Sequence, residues 1–141
     1  IFLISFLPMI ISSGGNTGSQ TSTLIIRALA TAEINLKDVW RALSREVLTA
    51  LLLGIILSTL SLILISIFLP EASVSTSSIA LTVGFSLMGV VMLGGVIGAI
   101  LPFMLSKLGF DPAVCSTPFV TTLVDVGGLV IYLQCAKLVF T

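Results

Sequence analysis

The sequence predicts an all-α membrane protein, with four transmembrane helices and one short amphipathic helix lying on the membrane face. Three observations carry this reading. Of 141 residues, 57% are hydrophobic and 9% charged, whereas a soluble domain carries about 25% charge. The mean hydropathy is +1.26. The charges are also confined, leaving uncharged runs at Ile1 to Ile26, Val47 to Pro70, Ala72 to Ser106 and, interrupted only by Asp125, Pro112 to Ala136. A bilayer core takes about 20 helical residues, so the runs place crossings near 1–30, 47–69, 79–106 and 112–138 of a single transmembrane domain, 1–141.

The same composition excludes several functions. Six basic residues balance six acidic ones, which removes a polybasic surface for nucleic acid. There is no His, so no mechanism can use imidazole, and metal chemistry must rely on oxygen. Cys115 and Cys135 are too few and too far apart for a thiolate metal site, and on one helix they would stand roughly 30 Å apart. No basic segment precedes Ile1 and no small-residue cleavage pattern follows it, so a signal peptide is not expected and the native start is expected upstream.

Crossing 1–30 is unusual. After mostly apolar residues it runs through twelve polar or small ones, Ser12 to Thr23. Bare amides and hydroxyls in hydrocarbon cost a few kcal/mol each. The stretch is therefore either a loop in water or a helix turned toward protein or a wet path. As a helix it has two rows: Gly14, Gly18 and Ser22 for close packing, and Asn16, Gln20, Thr23 and Arg27 as pore-lining candidates. Arg27, Lys37, Arg41 and Arg45 make the following loop cytoplasmic, and Lys107 does the same for the third loop; both ends then lie outside.

Segment 34–46 is expected to be structured. Asn35 with Asp38 at the third helical position makes a capping pair, Ile34 can staple to Val39, and Leu36, Val39, Trp40, Leu43 and Val47 recur at helical spacing. It is either an interfacial helix with Trp40 at headgroup depth or the start of the second crossing. That crossing, 47–69, is nearly uniform Leu and Ile and is expected to be scaffold. Crossing 79–106 carries Gly84, Gly89, Gly94, Gly95 and Gly98, with Gly94 and Gly98 spaced to let helix backbones approach. Gly109 suits a helix end, and Asp111 followed by Pro112 suits a new start.

Crossing 112–138 holds the intramembrane charge, Asp125. An ionised carboxylate at the bilayer centre costs on the order of 2.5 to 3.5 kcal/mol, so it is a candidate functional group. Thr117, Thr121 and Asp125 share one stripe at steps of four, Gly127 and Gly128 thin the helix beside the acid, and Pro118 is expected to free the carbonyl of Val114. Two readings stand: Asp125, Thr121 and Thr117 handle a cation, with Gly128 in the pore wall, or Asp125 is a structural partner of Asn16, Gln20 or Arg27. Catalysis is not expected, since an aspartyl protease needs two carboxylates sharing a proton and no Gly-x-Gly-Asp motif surrounds Asp125.

Gly14, Gly15, Asn16, Gly18 and Gln20, followed by Arg27, Leu29 and Ala30, with Arg45 and Glu46, then Leu101 and Pro102, Leu108 to Ala113, and Pro118, Thr122, Leu123, Asp125, Gly128, Leu129, Ile131 and Tyr132, resemble the MgtE family of magnesium channels over the whole length. The resemblance implies four of the family's five membrane helices and a bacterial inner-membrane homodimer whose ion path lies on the two-fold axis, lined by the first and last crossings seen here. It implies Asp125 as the selectivity residue and Asp111 as an acid of the cytoplasmic mouth that takes part in closing. Thr117 and Thr121 match positions near the ion, where other members carry Asn and Ala. Mg²⁺ is then both cargo and ligand, with no organic cofactor. A cytoplasmic N-terminal domain, paired CBS modules, a connecting helix and the first membrane helix would precede Ile1. Mg²⁺ holds water tightly at about 2.1 Å, so a ring of two Asp125 carboxylates and hydroxyls suits a largely hydrated ion, roughly 4 to 5 Å away through one water layer. An ion-coupled divalent-cation carrier is the alternative, although the four crossings show no inverted repeat.

Overall fold

The computed structural model describes residues 2–68, 74–114 and 117–140. The first helix, α1 (Phe2–Ala30), is continuous; the polar run does not interrupt it. Its hydroxyls explain why, because they bond to their own helix. Ser13 Oγ donates to the carbonyl of Met9 at 2.7 Å, Thr17 to Ser13 at 2.8 Å and Thr23 to Ser19 at 2.8 Å.

Helix α1 ends at Ala32, a non-glycine residue in the left-handed region with φ 56°. Glu33 N–H reaches back to the carbonyl of Ala28 at 3.0 Å and Ala32 N–H to that of Leu29 at 3.2 Å, the paired bonds of a Schellman ending. An L side chain there costs roughly 1 to 2 kcal/mol, part of which glycine returns as unfolded-state entropy. Ala32→Gly is therefore expected to stabilise the protein by about 0.5 to 1 kcal/mol, seen as a higher thermal midpoint in detergent.

Segment 34–46 is not a separate interfacial helix. Leu36–Asp38 form a single 3₁₀ turn, and helix α2 (Val39–Phe68) follows without a break. The capping pair acts where it was expected, with the Asn35 N–H donating to the Asp38 carboxylate at 2.8 Å, but it starts the long helix. Nothing between Val39 and Val47 breaks the helix, so the second of the two readings holds. Ile34 is half-buried and Trp40 is 77% exposed.

Helix α3 (Val74–Lys107) closes on a second Schellman ending, with Gly109 at φ 81° and Phe110 N–H bonded to the carbonyl of Leu105 at 3.0 Å. A 3₁₀ turn at Pro112–Val114 leads on, and helix α4 (Thr117–Phe140) completes the chain. This helix begins five residues later than 112. Pro118 thus sits in its first turn, where a backbone donor has no intrahelical partner in any case, and the expected release of the Val114 carbonyl does not arise. Glu71 and Cys115 lie outside the described residues.

Among the described residues, three helices are long and apolar enough to cross a membrane: Leu36–Phe68, Thr76–Lys107 and α4. Helix α1, about 43 Å long at 1.5 Å per residue, has the length but not the hydropathy, because of its polar run. Helix α3 is central, with 50% of its most apolar stretch buried against 17% for α2 and α4. Ile10, Val83, Leu87, Val90, Val120, Val124 and Tyr132 form the core between α1, α3 and α4. Helix α2 buries a single row, Ala50, Gly54, Ser61 and Ile65, and is anchored by Ser58 Oγ donating to the Gly84 carbonyl at 2.8 Å. From Leu48 to Phe68 its exposed residues are mostly Leu and Ile.

Glycines set the helix pairings. A Cβ at Gly94 would collide with the Gly14 carbonyl, and one at Gly98 with the Gly18 carbonyl. Both helices advance by four residues between these contacts, so α1 and α3 run parallel at backbone contact. Gly14 faces Val124, whereas Gly18, one turn on, faces both Val124 and Val120, so α4 runs antiparallel to α1.

Candidate functional site

The two rows of α1 face in different directions. Gly14, Gly18 and Ser22 are buried, while Asn16, Gln20, Thr23 and Arg27 are exposed. Packing α1 through its glycine row fixes which side remains open, and α4 forms the other wall of that opening. A Cβ on Gly15 would lie 3.1 Å from Asp125 Oδ1 and 3.5 Å from Thr121 Cγ2, so this glycine brings α1 against the stripe of α4.

The result is a groove of about 450 Å³ lined by Leu7, Pro8, Ile11, Ser12, Gly15, Asn16, Thr121 and Asp125. Six waters at about 30 Å³ each need roughly 180 Å³, so a divalent ion fits with its first hydration shell. A second groove of about 440 Å³, lined by Ser19, Gln20, Thr23, Leu24 and Thr117, lies one to two turns along the same helices. The expected residues Asp125, Thr121, Thr117, Asn16, Gln20 and Thr23 therefore share one open face. Gly128 does not; it is buried against Val90 of α3, 3.0 Å from where its Cβ would lie, so it admits close packing of the helix behind the acid.

Asp125 is half-buried and, among the described residues, makes no hydrogen bond or ion pair. Neither Asn16, Gln20 nor Arg27 holds it, which removes the structural-partner reading within one chain. Thr121 Oγ1 donates to the carbonyls of Thr117 and Pro118, both at 3.0 Å, and Asn16 Nδ2 donates to Ser12 Oγ at 3.4 Å. Among the described residues, no three Asp, Glu or Cys side chains lie close enough together to hold a metal ion. Asp111 is exposed, and its Oδ1 accepts the Ala113 N–H at 2.9 Å, which caps the 3₁₀ turn before α4.

Three groups were given no role by sequence reasoning, although Gly15 and Glu46 stand within the motifs that resemble the MgtE family. Ser12 stands four residues before Asn16, and extending the polar row back one turn finds it. Gly15 carries no signal of its own, because its importance depends on which helix faces it. Glu46, half-buried on α2, accepts the Thr21 hydroxyl at 2.8 Å and ties α1 to α2 on the side away from the groove; without the fold, nothing links two residues so far apart in the chain.

Comparison with known proteins is decisive about kinship. The sequence pattern of the MgtE family, described as divalent cation transporter, matches residues 7–135. The chain belongs to the MgtE family. It is 43% identical over 136 residues to the magnesium transporter MgtE of Thermus thermophilus, covering 96% of this chain and 29% of that protein. It is 36% identical over 132 residues to the magnesium transporter MgtE of Bacillus subtilis, covering 94% and 28%, and 29% identical over 136 residues to that of Enterococcus faecalis, covering 96% and 29%. The chain thus spans less than a third of the length of these MgtE relatives, and it is a membrane protein.

Proposed function

We propose that this chain is the pore domain of a Mg²⁺ channel of a bacterial inner membrane, in which α1 to α4 all cross the bilayer and two copies face each other across the ion path. The observation that carries the reading is the open polar face around an unpaired carboxylate. Asp125, Thr117, Asn16, Gln20 and Thr23 cannot face hydrocarbon, so a further body must cover them. A second copy related by a two-fold axis supplies a matching polar face and a second carboxylate. Two carboxylates balance one divalent ion, and the groove has room for its hydration shell. Mg²⁺ therefore passes largely hydrated, down its electrochemical gradient, as substrate and not as a resident cofactor. The relatives' names as magnesium transporters support this cargo.

Each part then has a task. Asp125 of each copy attracts the ion through water, Thr121 and Thr117 continue the oxygen-lined wall, and Asn16, Gln20 and Thr23 face them from α1. Asp111, which caps the turn at the cytoplasmic end of α4, stands at the mouth, where Mg²⁺-dependent closing by the soluble part of the protein would act. The chain performs no covalent chemistry.

Planar-bilayer recording of the full-length protein tests the reading. Unitary Mg²⁺ currents far above carrier turnover, reversing at the Mg²⁺ equilibrium potential, are expected; flux locked to a counter-gradient of sodium or protons would establish the carrier instead. Thr121→Ala is expected to reduce Mg²⁺ conductance by less than about threefold, since it removes one weak dipole from a wall that keeps its charge.

A further inference from the structure

A second cleft, of about 380 Å³, lies between the end of α1 and the start of α2 and is unrelated to the groove. Glu33, Asp38 and Glu46 line it together with Arg41 and Arg45, over an apolar floor that includes Ile25 and Ala28. Charges of both signs share one cavity, yet among the described residues none of them closes to an ion pair within 4.0 Å. Glu46 is engaged with Thr21, and one oxygen of Asp38 accepts the Asn35 N–H; Glu33, Arg41, Arg45 and the second Asp38 oxygen are available.

The cleft's depth in the membrane follows from α2. Val47 to Phe68 carries no charge and spans about 33 Å as helix, which matches the hydrocarbon thickness of about 30 Å. Arg45 and Arg41 then sit within two turns of its edge, at headgroup level. Trp40 is 77% exposed and Leu36 44% exposed beside the cleft, as for side chains that rest among lipids at the interface. A ligand that fits carries one negative and one positive group on an apolar stem.

We propose that this cleft seats the headgroup of an aminophospholipid of the phosphatidylethanolamine type, with its phosphate between Arg41 and Arg45 and its ammonium at Glu33 and Asp38. A guanidinium pairs with phosphate oxygens by two parallel N–H bonds. A primary ammonium offers three donors to carboxylates, whereas a choline group offers none. The site thus distinguishes ethanolamine from choline lipids by hydrogen bonding, and zwitterionic from anionic lipids through its carboxylates. The proposal rests on membrane placement of α2 and not on ion conduction.

Native mass spectrometry of the full-length protein, taken from vesicles of equimolar phosphatidylethanolamine, phosphatidylcholine and phosphatidylglycerol, tests it without any flux measurement. Retention of phosphatidylethanolamine about tenfold above each of the others is expected, the scale of one charge-assisted bond. Arg41→Gln with Arg45→Gln should abolish the excess, and Glu33→Gln with Asp38→Asn should bring ethanolamine and choline lipids level. All four side chains lie at the surface or its edge, and Arg41→Lys with Arg45→Lys, which keeps the charge, should restore most of the excess. Preference for phosphatidylglycerol would overturn the proposal in favour of a simple basic patch. Equal retention of all three, as a cleft covered by the protein's own soluble part would give, or a preference that survives both double variants, would overturn it too.

Discussion

Asp125→Asn is expected to lower the preference for Mg²⁺ over monovalent cations by roughly 30-fold, by the following Coulomb estimate. At about 4.5 Å, even with the screening of bulk water, each carboxylate attracts a divalent ion by about 2 kcal/mol and a monovalent one by about 1 kcal/mol. Two copies of the variant therefore cost Mg²⁺ about 4 kcal/mol and Na⁺ about 2 kcal/mol, and the difference of about 2 kcal/mol sets the loss of selectivity. Reversal potentials under mixed Mg²⁺ and Na⁺ gradients measure it. Dimer content in detergent should change little, because Asp125 bonds to nothing within its own chain. Loss of the dimer together with the selectivity would mean that the carboxylate holds the assembly and not the ion, and intact selectivity in the variant would dismiss the Asp pair altogether.

Gly98→Ala and Gly94→Ala are expected to be the most damaging single-methyl changes in the membrane domain. Each added Cβ runs into a backbone carbonyl of α1, at Gly18 and Gly14 respectively, and a backbone atom cannot rotate aside as a side chain can. Helix α1 must move off α3, with a cost of about 1 to 3 kcal/mol for overpacking. The consequence reaches the groove, because the row of α1 that touches α3 and the row that faces Asp125 are two sides of one rigid helix. Both thermal stability and Mg²⁺ flux should fall. Gly84→Ala is the control, since its Cβ would meet Leu62 and Ser58 at 3.9 Å, an ordinary contact. If all three variants behaved alike, backbone approach at Gly94 and Gly98 would not be what seats α1.

The helices and the acid were legible because their signals are local. Uncharged runs, the Gly94 and Gly98 spacing, the stripe Thr117, Thr121 and Asp125, and the capping pair Asn35 and Asp38 each lie within a few turns of one helix. Two local signals misled. Segment 34–46 has a complete start signal and an amphipathic face, but nothing in it marks an end, so it merged into α2. Asp111 and Pro112 also read as a helix start, and they begin only a 3₁₀ turn, with α4 delayed to Thr117. Gly128 was expected in the pore wall, three residues beyond Asp125. Three residues on a helix is most of a turn, and the rotation carries Gly128 to the α3 side. The roles of Gly15 and Glu46 were out of reach for the opposite reason, as each acts through a partner on another helix.

On the open face, the Thr23 and Thr121 hydroxyls commit their protons inward, Thr23 to Ser19 and Thr121 to Thr117 and Pro118. What remains for the passage is their lone pairs. An approaching anion therefore meets the wrong end of each of these dipoles, while a hydrated cation finds acceptors ready for the outward-pointing hydrogens of its shell. In the proposed pore these hydroxyls favour cations over anions around the carboxylate, and they do so independently of pH, because alcohols do not titrate in the physiological range.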